Sequence, residues 1–279
     1  MGHSAQEQER LAFQADLVAP ITRRLLVAAG LAPGMRVLDV GCGLGDVAFL
    51  AAQLVTETGA VVGADRSAVA VAVARERARA RSLSQVSFEL GDPAELTFTA
   101  PFDAVIGRYV LMFQPDPAVM LGRLMAHLQP GGIVAFHEVD WTGYRSCPPV
   151  PIWERCCQLA TEVLAAAGAD ISTGFKLASI FTRAGLPTPS MRMETTIGAG
   201  AMSQLVVDRI TSIIGTLQHA VDEFGAGPDA LGTAALGEDL AGRVLAAVTA
   251  SGSTVVGVSE VGAWCGKYLA SPSLREVQE

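Results

Sequence analysis

Apolar positions along this chain recur at two spacings that alternate. Between residues 5 and 29, Leu11, Val18, Ile21 and Leu25 mark one face of a helix, and Ala32-Pro33-Gly34 then breaks it. Residues 36–40 are a short apolar run that ends in closely spaced glycines, which predicts a buried parallel strand. The rhythm then repeats. Helices are expected over 46–55, over 68–81 with Ser67 as N-cap, and over 117–128 behind Asp116-Pro117. Strands are expected over 61–64 ending at Asp65, over 86–90, over 102–107, and over 133–139 after Pro130-Gly131-Gly132. Strands alternating with helices at this spacing predict a parallel, doubly wound sheet.

After Trp141 the rhythm changes. Cys147-Pro148-Pro149-Val150-Pro151 reads as a stiff loop, 152–167 and 173–184 as helices, and 189–197 as a strand. Met202, Val206, Ile210, Ile213, Leu217 and Val221 keep helical spacing over several turns. The Ala- and Gly-rich tract 225–237 reads as a mobile connection, 236–249 as a helix, and 254–267 as a last strand.

Composition narrows the classes. Half of the 279 residues are hydrophobic and the mean hydropathy is +0.38, so a sizeable core is available. The most apolar run, 68–74, leads straight into Arg75, Glu76 and Arg77, short of the roughly 18 residues a membrane span needs. A formal charge of -8 argues against a nucleic-acid partner. Arg75, Arg77, Arg79 and Arg81 spread around their helix and read as a solvated surface. The five cysteines form no Cys-x-x-Cys pair and stand in no metal-ligand spacing, so no metal is expected. Their odd number, with no signal peptide in view, suits a reducing cytoplasm.

The central feature is Leu38-Asp39-Val40-Gly41-Cys42-Gly43-Leu44-Gly45-Asp46, a strand running into glycines and then a helix. Glycines let the backbone turn sharply and approach a ligand closely. The ligand is then expected beyond the carboxyl end of the first strand, where doubly wound folds bind nucleotides. A dinucleotide site would want a third glycine that allows close packing, with a helix N-terminus facing pyrophosphate, but Asp46 stands there and would repel the pyrophosphate. Carboxylates at such a turn suit a cationic ligand instead, one bearing an ammonium and a sulfonium.

These residues resemble the class I S-adenosylmethionine (SAM)-dependent methyltransferases, in which Asp/Glu-x-Gly-x-Gly-x-Gly is matched by Asp39, Gly41, Gly43 and Gly45. The resemblance implies that Asp65, followed by Arg66, holds the ribose hydroxyls, and that Asp92 of Gly91-Asp92-Pro93-Ala94 pairs with the adenine amine. Segment 102–109, closing on Arg108 and Tyr109, resembles the fourth-strand motif along the methionine part, and 128–132 resembles the turn before the fifth strand. The motifs cover about 36–141. The family fold would be a Rossmann-like α/β sheet of seven strands, mostly parallel with an antiparallel last strand, and a helical cap. It would make 1–279 a single methyltransferase domain, with 30–141 as the cofactor-binding core and 141–170 and 198–252 as cap insertions.

On this reading SAM is the methyl donor, S-adenosylhomocysteine (SAH) is the product, and the acceptor is an apolar or aromatic small molecule, with neither membrane nor nucleic acid as partner. Methyl transfer to O, N or C is an in-line displacement in which positioning supplies much of the rate. A base is needed only where the acceptor must lose a proton. His137 and Glu138 are candidate bases, with Tyr109 beside them; strand alternation puts His137 and Val139 on one face, Glu138 and Asp140 on the other. Asp140, Trp141, Tyr144 and Trp153, with Phe175, are candidates for the acceptor pocket, whereas His219 reads as facing solvent. Two other classes stay open: a methyltransferase-like cyclase or SAM-binding module, and an NAD-dependent oxidoreductase.

Overall fold

A computed structural model describes residues 5–223 and 239–267, with the side chains of 5–16 and 215–223 outside the described set. The chain divides into two compact units. The first comprises Ala19–His137, Lys176–Arg192 and Gly262–Glu279; the second comprises Met1–Val18, Glu138–Phe175 and Met193–Val261. Helix α1 (Ala5–Ala29) carries Pro20 in its interior.

In the first unit, β1 (Arg36–Val40), β2 (Ala60–Asp65), β3 (Val86–Leu90), β4 (Phe102–Arg108) and the start of β5 (Leu128–Asp140) lie side by side. Every pair is parallel. Helices α2 (Asp46–Val55), α3 (Ala68–Ala80) and α4 (Pro117–Leu124) make the crossovers. Helix α2 presents Ala48, Ala51, Ala52 and Val55 to Val37, Val61 and Ile106 in a common core. The three- and four-residue spacing of these positions keeps them on one face, and small side chains there let the helix sit close to the sheet. The caps form where expected: Ser67 accepts from the Ala70 amide at 3.3 Å, and Asp116 from Ala118 and Val119 at 3.0 and 3.3 Å.

The helix expected over 117–128 ends four residues early. Helix α4 stops at Leu124, Met125–His127 form a 3-10 turn, and β5 already begins at Leu128. Lys267 holds that turn by donating to the Met125 and Leu128 carbonyls at 2.9 and 2.7 Å. Strand β5 also absorbs Pro130-Gly131-Gly132, which the sequence marks as a turn before it.

The second unit is built on α5 (Pro151–Ala166), α7 (Met202–Glu223) and α8 (Leu240–Ala250), which pack on one another. Its core takes Trp153, Cys157, Leu159 and Val163 from α5, Val206, Val207 and Ile210 from α7, and Val244 and Val248 from α8. Of the stripe read from the sequence, Val206, Ile210 and Ile213 are buried, Met202 is exposed, and the side chains of Leu217 and Val221 lie outside the described residues. Arg209 and Glu260 form an ion pair that is buried on both sides.

The remaining elements are β6 (Arg145–Cys147), α6 (Thr173–Arg183), β7 (Ser190–Gly198) and β8 (Thr254–Gly266). The strand order is β3-β2-β1-β4-β5-β8-β6, with β7 also paired to β8. The mostly parallel sheet with antiparallel pairing at its late end is the one expected. It has eight strands, because β6 pairs antiparallel with the start of β8. Three residues are too few to show alternation, which is why the sequence gives no sign of that strand. The tract 225–237 lies outside the described residues, as do 236–238 of the expected helix. Among the described residues no helix is long and apolar enough to cross a membrane. All five cysteines are free thiols.

Candidate active site

The glycine loop follows β1 in the first unit. Gly41 has φ +63°, and a Cβ there would lie 2.7 Å from Val110 Cγ2, so the loop packs against the segment after β4. Gly43 has φ +50° and open space where its Cβ would be. The first keeps the turn tight; the second leaves room for a ligand. Gly45 precedes α2 without a side-chain cap, so the first-turn amides of that helix are not spent on one.

Asp46 does not face a ligand as an uncompensated charge. Arg77 of α3 donates to its carboxylate at 2.6 Å and also to the Leu44 carbonyl. Arg81 lies over the Phe49 ring, 4.8 Å from its centroid, and Arg75 donates to the Phe88 carbonyl at 2.6 Å. Arg75, Arg79 and Arg81 are exposed, as the solvated-surface reading expects, while Arg75 and Arg77 also brace the edge strand and the loop. The spacing that spreads them around α3 is the same spacing that lets two of them reach inward.

Three carboxylates stand at the strand ends. Asp39, on β1, is 1% exposed; the Ala48 amide interacts with it, but neither oxygen has a hydrogen bond of full geometry within the chain. Burial pushes its pKa from 3.8 up to about 8, and the Arg108 charge and the Ala48 amide offset only part of that. Asp65 ends β2 and accepts from the Gly43 amide at 2.9 Å and the Ser67 amide at 2.8 Å, tying the loop to the second strand. Asp92, after β3, accepts from Ala94 at 2.9 Å and pairs with Arg66. Burial opposes its ionisation, but the Ala94 and Arg66 hydrogen bonds outweigh it and hold its carboxyl below the ordinary range. The Pro93 carbonyl accepts from His127 Nε2 at 3.1 Å. Asp39, Gly41, Gly43, Gly45, Asp65, Arg66, Asp92 and Pro93 thus gather at the carboxyl ends of β1, β2 and β3.

A second group closes β4 and β5. Arg108 and His137 are register partners, and the Tyr109 amide donates to the His137 carbonyl at 2.9 Å. Tyr109 has φ +57°, a left-handed conformation costly for a residue with a Cβ and one that clusters at functional sites. Its ring lies 5.7 Å from the His137 ring and 5.7 Å from the Arg108 guanidinium. Thr22 of α1 joins them: its Oγ1 is 3.0 Å from His137 Nδ1 and accepts from Arg108 at 3.2 Å. Thr22 was not legible in the sequence, where it is one polar residue in an amphipathic helix.

The other candidates belong to the second unit. Glu138 and Asp140 are buried on β5; Asp140 accepts from the Thr142 amide and hydroxyl at 2.9 and 2.6 Å. Trp141 is buried, and its amide donates to the Ile171 carbonyl at 2.9 Å. Trp153 has 0% exposure, and its indole N–H donates to the Arg145 carbonyl at 3.3 Å, so it packs inside the helical core. Tyr144 is half-buried in a cleft with Arg145, Pro151, Glu154, Arg155 and Gln158. Burial and neighbouring carboxylates raise its phenol, which stays protonated at neutral pH. Phe175 is 62% exposed. The side chain of His219 lies outside the described residues.

Residues 31–185 match the methyltransferase-domain family. Over 118 residues the chain is 40% identical to the nocamycin O-methyltransferase of Saccharothrix syringae, a match covering 42% of each protein. Over 122 residues it is 36% identical to the aklanonic acid methyltransferase of Streptomyces sp. strain C5, covering 43% of this chain and 56% of that one. The match thus spans about half the length of these curated relatives. Among solved structures, the [4+2]-cyclase SpnF shares the fold with a TM-score of 0.55 at 23% identity, over 90% of this chain and 81% of that one. The match to residues 31–185 takes in the glycine loop, the three acids at the strand ends and the segment after β4, and on it the chain belongs to the methyltransferase-domain family.

Proposed function

We propose that the protein transfers the methyl group of S-adenosylmethionine to a small molecule with an apolar or aromatic body, leaving S-adenosylhomocysteine. The observation that carries this reading is Asp39. Burial makes Asp39 costly to ionise, Arg108 and the Ala48 amide offset only part of that cost, and a cationic ligand beside the glycine loop would offset more of it. The open space at Gly43 and the carboxylate of Asp65 fit the same ligand. A pyrophosphate does not fit, because its charge would meet Asp39 and Asp65, whereas Asp46 is already neutralised by Arg77.

When bound, SAM supplies an electrophilic methyl on a sulfonium. The chain's own part is to hold and orient. Asp39, Asp65, Asp92 and Arg66 would hold the cofactor, with Pro93 and Arg108 at the edges of its site. His137, within ring contact of Tyr109, is the group best built to accept a proton from an acceptor hydroxyl or amine. Glu138 is the other candidate base. Asp140, Trp141 and Tyr144 are proposed for the acceptor side, with segments 141–170 and 198–252 choosing the acceptor; Trp153, packed in the helical core, is not. Relatives named for nocamycin and aklanonic acid support a small-molecule acceptor over a macromolecule. The five free thiols suit the reducing cytoplasm.

A second reading is favoured by the fold shared with a cyclase, since fold does not fix chemistry. Two measurements decide. Calorimetric titration with SAH is expected to show binding that Asp65→Ala weakens at least tenfold; a folded chain that binds no SAH would overturn the reading. Labelled-methyl transfer to a panel of phenols, enols and carboxylic acids then separates a transferase from a cyclase.

A further inference from the structure

We propose that Thr22 is a positioning residue that couples Arg108, on the cofactor side, to His137, so that occupation of the glycine-loop site is felt at the imidazole. This rests on the methyl-transfer reading above. Thr22 is 1% exposed, and one oxygen atom serves two partners. Arg108 approaches its Oγ1 to 3.2 Å and His137 Nδ1 lies 3.0 Å away. A guanidinium has only donors, so Oγ1 is the acceptor toward Arg108 whatever the imidazole tautomer.

Arg108 has a second role. Its positive charge lies near the end of β1 and favours the ionised form of Asp39, which burial otherwise holds protonated. Arg108, Thr22 and His137 thus form a hydrogen-bonded sequence, and strand register sets its Arg108 end two residues beyond Ile106, the partner of Asp39. A ligand that brings its own cation to Asp39 competes with Arg108 for that carboxylate. Whatever Arg108 then gives up toward Asp39 changes its hold on Thr22, and Thr22 in turn sets the position and polarisation of the His137 ring. Strand register places Arg108 beside His137, and α1 contributes the hydroxyl that joins their side chains. The N-terminal helix therefore supplies part of the catalytic arrangement as well as apolar packing.

The test reads the imidazole itself. The chain has four histidines, His3, His127, His137 and His219, so long-range ¹H–¹⁵N correlation spectra of the full-length protein resolve their ring nitrogens. A His137→Gln sample assigns His137. With saturating SAH, the His137 ring nitrogens of the wild type are expected to shift. Thr22→Val keeps the shape of the side chain and removes the hydroxyl; it is expected to bind SAH within about threefold of wild type and to lose the His137 shift. Thr22→Ser is expected to restore it. Arg108→Met cuts the same link from the other side and is expected to abolish the shift at SAH saturation, which keeps the test open should Thr22→Val fold poorly. A wild-type His137 that does not respond to saturating SAH, or a Thr22→Val response equal to wild type, overturns the coupling. A folded wild type that binds no SAH overturns the methyl-transfer reading itself, a result distinct from both.

Discussion

Replacing Asp39 with Asn should stabilise the ligand-free protein at neutral pH while weakening its hold on the cofactor. Burial pushes the carboxyl from 3.8 up to about 8, so the native state keeps a proton that the unfolded chain has released. The native state then binds more protons than the unfolded one, and the contribution of Asp39 to stability falls as pH rises from about 4 to about 8, then levels off. At pH 7 the lag behind the unfolded chain is about 3 pH units, which at 1.36 kcal/mol each corresponds to about 4 kcal/mol of destabilisation. Asparagine removes this burden but leaves an amide without partners, a cost of roughly 1–3 kcal/mol. The net expectation is a gain of roughly 1–3 kcal/mol at pH 7, seen as an upward Tm shift of several degrees at roughly 2–4 °C per kcal/mol. Thermal unfolding of both proteins at pH 4.5, 6, 7 and 8.5 without ligand should show the difference growing from near zero across that series. SAH titration should show the opposite order, with Asn binding at least tenfold more weakly. A difference that is flat with pH, or an Asn variant less stable than wild type at pH 8.5, would refute the assignment of a strained buried carboxyl.

Four further outcomes are expected. Gly43→Ala meets open space and carries only the strain of φ +50°, about 1 kcal/mol, so urea midpoints should barely move while SAH affinity falls. Gly41→Ala drives a methyl to 2.7 Å from Val110 Cγ2 and should cost roughly 1–3 kcal/mol as well as binding. Arg77→Met strips the partners from Asp46 and the Leu44 carbonyl; SAH affinity should drop several-fold by calorimetry, and Arg77→Lys should recover only part of it, because one ammonium cannot reproduce the planar fork. In the second unit, Arg209→Met or Glu260→Gln alone leaves a buried charge and should cost roughly 3–5 kcal/mol, whereas the double change to Met and Leu should recover most of that in a double-mutant cycle of urea unfolding.

What the sequence shows and what it hides separate by the range of the interaction. The glycine loop, Ser67, Asp116 and the acids ending β1 and β2 are legible because their geometry is set within a few residues: a left-handed turn, a cap, the last residue of a strand. The α7 stripe is legible for the same reason, as a period along one helix. Thr22 and the Arg77–Asp46 pair are not, since each depends on where a crossover returns the chain, 115 residues from Thr22 to His137 and 31 from Arg77 to Asp46. Arg209 sits beside the apolar stripe of α7 and Glu260 within an alternating strand, and a charge in either place reads as surface until its partner is seen. Trp153 shows the converse. An aromatic near a loop suggests a pocket, yet the helical period of α5 points it into the core with Leu159 and Val163.

The Arg77–Asp46 pair also changes how the cofactor argument runs. From the sequence, Asp46 is the residue that turns away a pyrophosphate, because it stands where a dinucleotide site has glycine. In the folded chain its charge is offset by Arg77, and Arg81 sits over the next turn of α2, so the start of that helix is closer to neutral than its sequence implies. On the proposed reading, discrimination passes to Asp39, which is buried, and to Asp65, whose carboxylate accepts from the Gly43 amide of the loop. An anion entering this loop would face the Asp65 carboxylate and would oppose ionisation of Asp39, whereas a cation would favour the ionised form that burial penalises. On that reading the choice of a cationic ligand over a phosphate is therefore assigned to the end of β1 rather than to the start of α2. For the same reason Asp46→Gly is expected to leave SAH affinity nearly unchanged and to confer no measurable affinity for NAD; NAD binding by that variant would return the discrimination to Asp46.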